Sequence, residues 1–293
     1  MKKITQAVIP VAGVATRIQP LGRAVPKELL PLGRRPVIHY VVEELVQAGV
    51  RDFCFITGSR TSAIEDYFSY DPILDTELQR KGIPTGWEHG DQNLAGCHFY
   101  YVRQGSPKGI SDALYHARSF VGEEPFFLHM GDSVITEDED HTLRMIHAYE
   151  RYHAAAVVLV HRMEPTEISK HGSPIPVSHA DKDVFEVQEI IEKPMDKEIA
   201  APYGLTGRYL IATKMVDRPN EVEPRLSRIG GLGSIFPPAE EIKGPIVAVK
   251  TKPTARLHDA GTMTGYLYAQ VRFAMHDPEC GEQLRALIRQ ETI

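Results

Sequence analysis

The sequence predicts an α/β protein with a mostly parallel, doubly wound sheet, antiparallel β insertions and a helical C-terminal tail. Three observations lead to this prediction. Strand and helix patterns alternate through the first 70 residues, which is typical of a right-handed parallel α/β unit. After residue 164, strand-like segments follow one another over short connections, which favours antiparallel pairing. Two helical patterns follow residue 261 and end the chain.

The elements of the first half are predicted from apolar runs and the residues that bound them. Residues 7–12 form an apolar run that ends at Gly13, a pattern typical of a buried strand. Residues 36–48 repeat apolar side chains at helical spacing, and Gly49 is placed to end that helix. The same patterns predict strands at 52–57, 98–103, 125–130 and 155–161, and helices at 63–68, 73–81, 111–120 and 142–153.

The second half of the chain has a different texture. Strands are predicted at 184–191, 204–212 and 245–251, and helices at 262–275 and at the end of the chain. Residues 217–238 are rich in proline and glycine and are predicted to be irregular. Because the sequence contains no internal repeat, we expect one α/β domain rather than two independent ones.

The charge balance excludes one class of function. The 293 residues include 33 lysines and arginines against 39 aspartates and glutamates, for a net charge of −6. Non-specific nucleic-acid binding needs a basic surface that displaces counterions, so we expect no nucleic-acid partner. The balance does not exclude a local basic pocket that binds a phosphate.

Cysteine usage and hydropathy indicate the compartment. The three cysteines lie far apart and form neither a disulfide framework nor a C-x-x-C metal pair, which suggests a reducing compartment. No apolar run approaches the roughly 20 residues that span a bilayer, so no membrane partner is expected. Gly13, Arg17 and Pro20 interrupt the apolar stretch near the N-terminus, which argues against a signal peptide. We therefore expect the protein to be located in the cytoplasm.

The first motif, at residues 12–17, is Ala-Gly-Val-Ala-Thr-Arg, followed by Lys27 in Pro-Lys-Glu. A strand that opens into a glycine-containing loop lets backbone N–H groups approach a phosphate closely. Arg17 and Lys27 would add positive charge where a triphosphate binds. The alternative is an ordinary turn with two solvated cations. The strand is followed by neither a P-loop pattern nor G-x-G-x-x-G, which argues against a P-loop enzyme and a dinucleotide-binding domain.

Two aspartates are candidate metal ligands. Asp132 follows the predicted strand 125–130, and an acidic residue just past a buried strand lies where α/β sheets bind ligands. Asp259, in Leu-His-Asp-Ala-Gly-Thr, sits in a predicted turn before a helix. Mg²⁺ takes one or two carboxylates and leaves its other positions to phosphate and water. The alternative role for each aspartate is a turn or a helix cap.

A further motif, Glu-Ile-Ile-Glu-Lys-Pro at residues 189–194, ends a predicted strand. Lys193 is placed to hold a phosphate, and Glu192 is placed to accept hydrogen bonds from sugar hydroxyls.

These motifs occur in the order that one family shows. Over residues 5–275 the chain resembles the sugar-1-phosphate nucleotidylyltransferases, most closely the bacterial UTP–glucose-1-phosphate uridylyltransferases. The best stretch is residues 7–49. Three shorter stretches are similarly specific, namely Val-Arg-Gln-Gly-Ser-Pro-Lys-Gly at 102–109, Ile-Glu-Lys-Pro at 191–194 and Gly-Arg-Tyr at 207–209. Each motif is weak alone, and their shared order makes the resemblance specific.

The resemblance implies a role for each candidate residue. Nucleotide binding, through backbone contacts and the pyrimidine edge, would fall to Ala12, Gly13, Gln104 and Gly109. The catalytic group would be Arg17, Lys27, Asp132 and Lys193. The sugar phosphate would meet Gly172, Glu192 and Lys193. The metal carboxylates would be Asp132 and Asp259.

The resemblance also implies the reaction and the organisation of the chain. A sugar-phosphate oxygen would attack the α-phosphorus of UTP, with pyrophosphate leaving, Mg²⁺ as cofactor and glucose 1-phosphate as the expected sugar. Such chemistry needs positioning and charge neutralisation rather than a protein nucleophile. A Rossmann-like nucleotidyltransferase domain would comprise a nucleotide-binding part (1–161), a β-rich sugar-binding part (162–261) and C-terminal helices (262–293). A homodimer or homotetramer is the implied assembly.

Three departures from the family pattern bear on these expectations. Ala15 replaces the second glycine of the family's Gly-x-Gly-Thr-Arg loop, where a Cβ narrows the room for phosphate or is harmless at negative φ. Residues 232–238 replace a segment that carries an acidic residue, which bears on the sugar and on subunit contacts. Ser111 and Asp112 replace a Gly-His pair beside the expected base pocket.

Two alternatives follow from these departures. One is an enzyme of the same class that uses dTTP or another hexose 1-phosphate. The other is a homologue that binds a nucleotide or nucleotide sugar without turnover. The chain retains the cations and both candidate metal carboxylates, which a pure binding protein does not need, and we therefore favour an enzyme.

Overall fold

The computed structural model describes residues 3–83, 94, 96–106, 108–178, 182–212 and 244–291. The predicted irregular segment 217–238, which includes the replacement at 232–238, lies outside the described residues. The helices are α1 Val37–Gln47, α2 Ser62–Phe68, α3 Pro72–Arg80, α4 Ile110–Val121, α5 His141–Tyr152, α6 Pro165–Ile168, α7 Met263–Met275 and α8 Gly281–Glu291. The strands are β1 Gln6–Pro10, β2 Pro31–Leu32, β3 Arg35–Pro36, β4 Asp52–Thr57, β5 His98–Arg103, β6 Phe126–His129, β7 Ser133–Thr136, β8 Ala156–Arg162, β9 Gly172–Pro176, β10 Val184–Glu192, β11 Tyr203–Ile211, β12 Ile246–Lys250 and β13 Arg256–Asp259.

The main sheet has nine strands in the order β5-β4-β1-β6-β11-β8-β12-β10-β9. Strands β5, β4, β1 and β6 run parallel, and β12 runs parallel to β8. Because β11 runs antiparallel to both β6 and β8, strands β8 and β12 point in the same direction as these four. Most strands of the sheet therefore share one direction, which confirms the predicted fold class. The carboxyl ends of β1, β4, β5 and β6 lie along one edge, where sheets of this kind bind ligands.

The antiparallel strands belong to the main sheet and do not form a separate element. Strand β11 lies between β6 and β8 and runs antiparallel to both, and β10 pairs antiparallel with β12 and β9. The short connection between β10 and β11 suggests direct pairing, yet these two strands are not neighbours.

Alternating side chains of the strands pack into two cores, one on each face of the sheet. On β1, Ala7 and Ile9 join the core that contains residues of α1, α2 and α5. Val8, between them, joins the core that contains one face of α4. This arrangement is typical of a sheet covered by helices on both faces. No helix in the described part of the chain is long and apolar enough to cross a bilayer.

A small two-stranded sheet formed by β7 and β13 was not predicted. Its register places Asp259 opposite Ser133, the residue that follows Asp132. A third core made of residues such as Ile18, Val134 and Tyr266 packs α7 against this sheet. The fold thus brings chain segments from the two halves of the sequence together at the carboxyl end of β6.

Candidate active site

The loop after β1 lies beside the loops after β4 and β5. The backbone N–H of Val11 donates to the Ile56 carbonyl at 2.9 Å, and that of Gln104 donates to the Thr57 carbonyl at 2.9 Å. A Cβ built on Gly58 would lie 3.2 Å from Cα of Ala12. The three loops therefore begin side by side at the same edge of the sheet.

The same loop accommodates Ala15 at the position where the family has a glycine. Ala15 has φ 52° and ψ 40°, a left-handed conformation that costs a non-glycine residue roughly 1–2 kcal/mol. The interpretation that required a negative φ is therefore wrong. The Ala15 methyl lies 2.8 Å from where a Cβ of Gly22 would stand, so the missing side chain at Gly22 provides its space. The methyl also packs against the third core.

Three predicted site residues surround Gly261. A Cβ built on this glycine would lie 2.7 Å from Oδ2 of Asp132, 2.9 Å from Oδ1 of Asp259 and 3.0 Å from Nη2 of Arg17. Lys27 forms an ion pair and a hydrogen bond with Oδ2 of Asp132. Two carboxylates and two cations, drawn from four separate segments of the chain, thus meet at one point.

The two aspartates are held by backbone hydrogen bonds. Asp132 stands between β6 and β7, and its carbonyl accepts from the Ala260 N–H at 2.9 Å. Asp259 ends β13, and its Oδ1 accepts from the Gly261 N–H at 2.8 Å. The cap of α7 is Thr262, and Asp132 precedes a strand, so the helix-cap interpretation of both aspartates is wrong.

The charges in this cluster perturb one another. Burial alone would raise the pKa of Asp132, but Lys27 and Arg17 hold it below its usual value. Burial alone would lower the pKa of Lys27, but Asp132 and Glu28 outweigh it and the pKa is raised. Burial and the negative charge of Asp132 raise the pKa of Asp259. Burial also raises the pKa of Glu28 to about 7.

The donor set suits a magnesium ion shared with phosphates. No group of three or more metal-ligating side chains occurs within the described residues, so a protein-only metal cage is not present there. Two neighbouring carboxylates are what Mg²⁺ takes when phosphate and water complete its coordination. The negative charge of Asp132 disfavours a negative charge on Asp259. A cation bound between the two carboxylates would relieve this repulsion.

The predicted sugar residues meet where β9 pairs with β10. The pair Gly172 and Glu192 is in register, and a Cβ on Gly172 would lie 2.6 Å from Cδ1 of Leu205. A side chain at this position would require Leu205 to move. Within the described part of the chain, the buried Oε2 of Glu192 has no hydrogen-bond partner, and burial raises the pKa of this carboxyl. An acceptor in this state favours a ligand that donates hydroxyl groups.

Lys193 follows Glu192 in the chain and, within the described residues, forms no ion pair with Asp132 or Asp259. It has φ 48°, its side chain is exposed, and its backbone N–H donates to the His171 carbonyl at 2.9 Å. Burial lowers the pKa of His171, on which Asp259 and Arg17 also act electrostatically. His171, the residue before Gly172, lines the same cavity as Asp259.

Gln104 and Gly109, the residues predicted to meet the pyrimidine edge, flank the segment between β5 and α4. Gln104 is only 3% exposed, and its side-chain nitrogen donates to the carboxylate of Asp112. Gly109 precedes α4 with φ 101°, a conformation that favours glycine.

A buried ion pair between Arg208 and Glu44 was not predicted from the sequence. Arg208 is fully buried and donates from Nη2 to Oε2 of Glu44 at 3.0 Å, across 164 residues of sequence. It also donates to the Ser133 carbonyl at 2.8 Å and to the Ser133 hydroxyl at 2.6 Å. Arg208 therefore fixes the backbone next to Asp132. Its only sequence signal is its place in the Gly-Arg-Tyr motif at 207–209.

Two histidines beside this pair make stability depend on pH. Burial lowers the pKa of His129 from 6.5 to about 3, so the folded state holds it neutral. Burial would also lower the pKa of His141, but Glu44 outweighs it and raises the pKa above 6.5. The stabilisation from protonated His141 is therefore already complete below pH 6.5. Glu44, whose pKa stays well below 4.5, loses its contribution only at lower pH.

Between pH 6.5 and 4.5, His129 is thus the member of this group whose protonation opposes folding. We expect its share of the unfolding free energy to fall by roughly 1.4 kcal/mol per pH unit as the pH drops. Urea unfolding of the wild type and of His129→Gln at several pH values isolates this slope as the difference between the two. The control is His147→Gln at an exposed position, which should keep the wild-type slope. Parallel lines for the wild type and His129→Gln would contradict the assignment.

The chain is similar to known nucleotidyltransferases along almost its whole length. The sequence model of the nucleotidyl transferase family matches residues 6–273. The UTP–glucose-1-phosphate uridylyltransferase of Bacillus subtilis is 30% identical over 286 residues, covering 97% of this chain and 96% of the relative.

Solved structures show the same similarity. The UTP-bound UGPase of Acinetobacter baumannii matches with a TM-score of 0.85 and 26% identity, covering 98% of this chain and 99% of that one. A UDP-glucose pyrophosphorylase complexed with UDP-glucose matches with a TM-score of 0.79 and 25% identity, covering 94% and 100%. The comparisons confirm the predicted resemblance to uridylyltransferases and the prediction of a nucleotidyltransferase enzyme. The chain belongs to the nucleotidyl transferase family.

Proposed function

We propose that this protein transfers the uridylyl group of UTP to glucose 1-phosphate, giving UDP-glucose and pyrophosphate. The observation that carries this proposal is the convergence of Asp132, Asp259 and Arg17 around Gly261, with Lys27 bonded to Asp132. This cluster lies at the carboxyl ends of β1 and β6, where a nucleotide enters sheets of this kind. The relatives that share the whole chain are named for the same reaction.

The cluster supplies what the reaction requires. An oxygen of the sugar phosphate attacks the α-phosphorus of UTP, and the bond to the β-phosphate oxygen breaks as pyrophosphate leaves. Arg17 and Lys27 bind the triphosphate and stabilise the negative charge that builds up on the leaving group. Asp132 and Asp259 would hold Mg²⁺, which neutralises phosphate charge when it is bound. The backbone of Ala12 and Gly13 borders the same phosphates.

The residues where β9 pairs with β10 favour a hexose phosphate. The buried Oε2 of Glu192 provides an acceptor for sugar hydroxyls, and Gly172, which has no side chain, leaves room for Leu205. A buried carboxylate rejects an analogue that lacks the matching hydroxyls, because its charge is then left unpaired. The exposed side chain of Lys193 is free to reach the sugar phosphate from the end of β10.

We further propose that the enzyme acts in the cytoplasm as a homodimer or homotetramer.

A pyrophosphate-release screen tests this function. The protein is assayed with Mg²⁺, with UTP, dTTP, ATP or GTP, and with a panel of hexose 1-phosphates. We expect UTP and dTTP to exceed ATP and GTP, and the pair of UTP and glucose 1-phosphate to be fastest.

Each other outcome of the screen identifies what is wrong. Equal turnover with GTP contradicts base reading by Gln104 and Gly109. If only another hexose 1-phosphate is turned over, the proposed sugar is wrong and the proposed reaction stands. If every combination is inert while UDP-glucose binds in a calorimeter, the protein is the non-catalytic homologue.

A further inference from the structure

The amide of Gln104 is held by a residue at which this chain departs from the family pattern. Its Nε2 donates to Oδ2 of Asp112, in the first turn of α4. Its backbone N–H donates to the Thr57 carbonyl at 2.9 Å, so the main chain is fixed as well. Nε2 of His116, one helical turn after Asp112, lies 3.7 Å from the same carboxylate oxygen. Both the side chain and the main chain of Gln104 are therefore held by hydrogen bonds.

This contact settles which way the amide faces. A glutamine amide has a donor side and an acceptor side of nearly the same shape, and it can present either to a ligand. An ionised carboxylate only accepts hydrogen bonds, so the nitrogen must face Asp112. The carbonyl oxygen Oε1 then occupies the other branch of the amide. An asparagine or a small residue at position 112 would remove this restriction.

We propose that Asp112 is a positioning residue that fixes the orientation of the Gln104 amide and thereby sets the choice between uracil and cytosine. The two bases have similar shapes, but ring nitrogen N3 carries a hydrogen in uracil and a lone pair in cytosine. A fixed acceptor pairs with the N3–H of uracil and faces the lone pair of cytosine. An amide that turns freely pairs with either base. The proposal rests on the proposed function, in which Gln104 meets the base of UTP.

The test compares UTP with CTP in Asp112→Asn, Asp112→Ala and Asp112→Glu, using glucose 1-phosphate and pyrophosphate release. We expect the ratio of kcat/KM for UTP to that for CTP to fall about tenfold in the first two variants, the effect of one hydrogen bond to a charged group. Asp112→Glu keeps the acceptor and should restore most of the ratio. Asp75→Asn on α3 is the matched control and should keep the wild-type ratio. A merely structural role for Asp112 would lower both rates together.

The outcomes separate this proposal from the proposed function. An unchanged ratio in both Asp112→Asn and Asp112→Ala overturns the positioning role. If Gln104→Ala also keeps the ratio, base reading by Gln104 is wrong as well. If the wild type turns over no sugar phosphate, the proposed reaction fails, and calorimetric binding of UTP and CTP to the same variants still decides the role of Asp112. If the wild type binds UTP and CTP with equal affinity, the positioning role of Asp112 is wrong.

Discussion

Replacing Asp132 by asparagine is expected to lower kcat for pyrophosphate release on the order of 10³-fold, the upper range for removing one group that stabilises transition-state charge. The neutral amide keeps the shape of the carboxylate but loses the charge that pairs with Lys27 and would bind Mg²⁺. Asp259→Asn should be similar or milder, because the charge of Asp259 is already disfavoured.

The measurement is initial rates over a range of Mg²⁺ concentrations, with the unfolding temperature recorded for each variant. Asp66→Asn, at an exposed position of α2, is the matched control and should behave like the wild type. Wild-type kcat in a folded Asp132→Asn variant would remove the metal assignment. A loss of activity together with a collapse of the unfolding temperature would instead indicate a structural role.

Replacing Arg17 by alanine is expected to lower kcat/KM for UTP by about 10²- to 10³-fold, or roughly 3–4 kcal/mol of transition-state stabilisation. The guanidinium lies near both aspartates and the Arg17 side chain is exposed, so it is available to a triphosphate. Arg17→Lys should recover only part of the loss, because an ammonium lacks the planar, bidentate fork.

Arg23 provides a matched control in the same loop. It is exposed and lies outside the cluster around Gly261, so Arg23→Ala should retain wild-type kcat/KM. Equal values for Arg17→Ala and the wild type would show that Arg17 is a solvated cation, the alternative that the sequence leaves open.

Periodicity and boundary residues were sufficient to predict the principal strands and helices. The apolar runs of β1, β4, β6 and β8 are buried on both faces, and such runs stand out in a sequence. The spacing of apolar residues in α1 and the glycine after it likewise located that helix. Local patterns could not show that β11 enters the middle of the sheet, because strand order depends on contacts between distant segments.

The short strands were missed for physical reasons. Strand β9 reads Gly-Ser-Pro-Ile-Pro, and two prolines indicate a loop unless the strand is at an edge, where β9 lies. Strands β7 and β13 have four residues each, too few for a reliable alternation. The buried pair of Arg208 and Glu44 was invisible because single charged residues in a strand and a helix are expected at the surface.

The pairing of β7 with β13 has a consequence for how the protein is made. Asp132 emerges from the ribosome well before residues 256–259, which supply its partner strand and the second carboxylate. Strand β12, which fills the gap between β8 and β10, also appears only at this late stage. A nascent chain that ends before Asp259 thus holds half of the proposed metal site and an incomplete sheet. The proposed reaction can therefore begin only after Asp259 has been synthesised, so products truncated before this residue would be inactive rather than partly active.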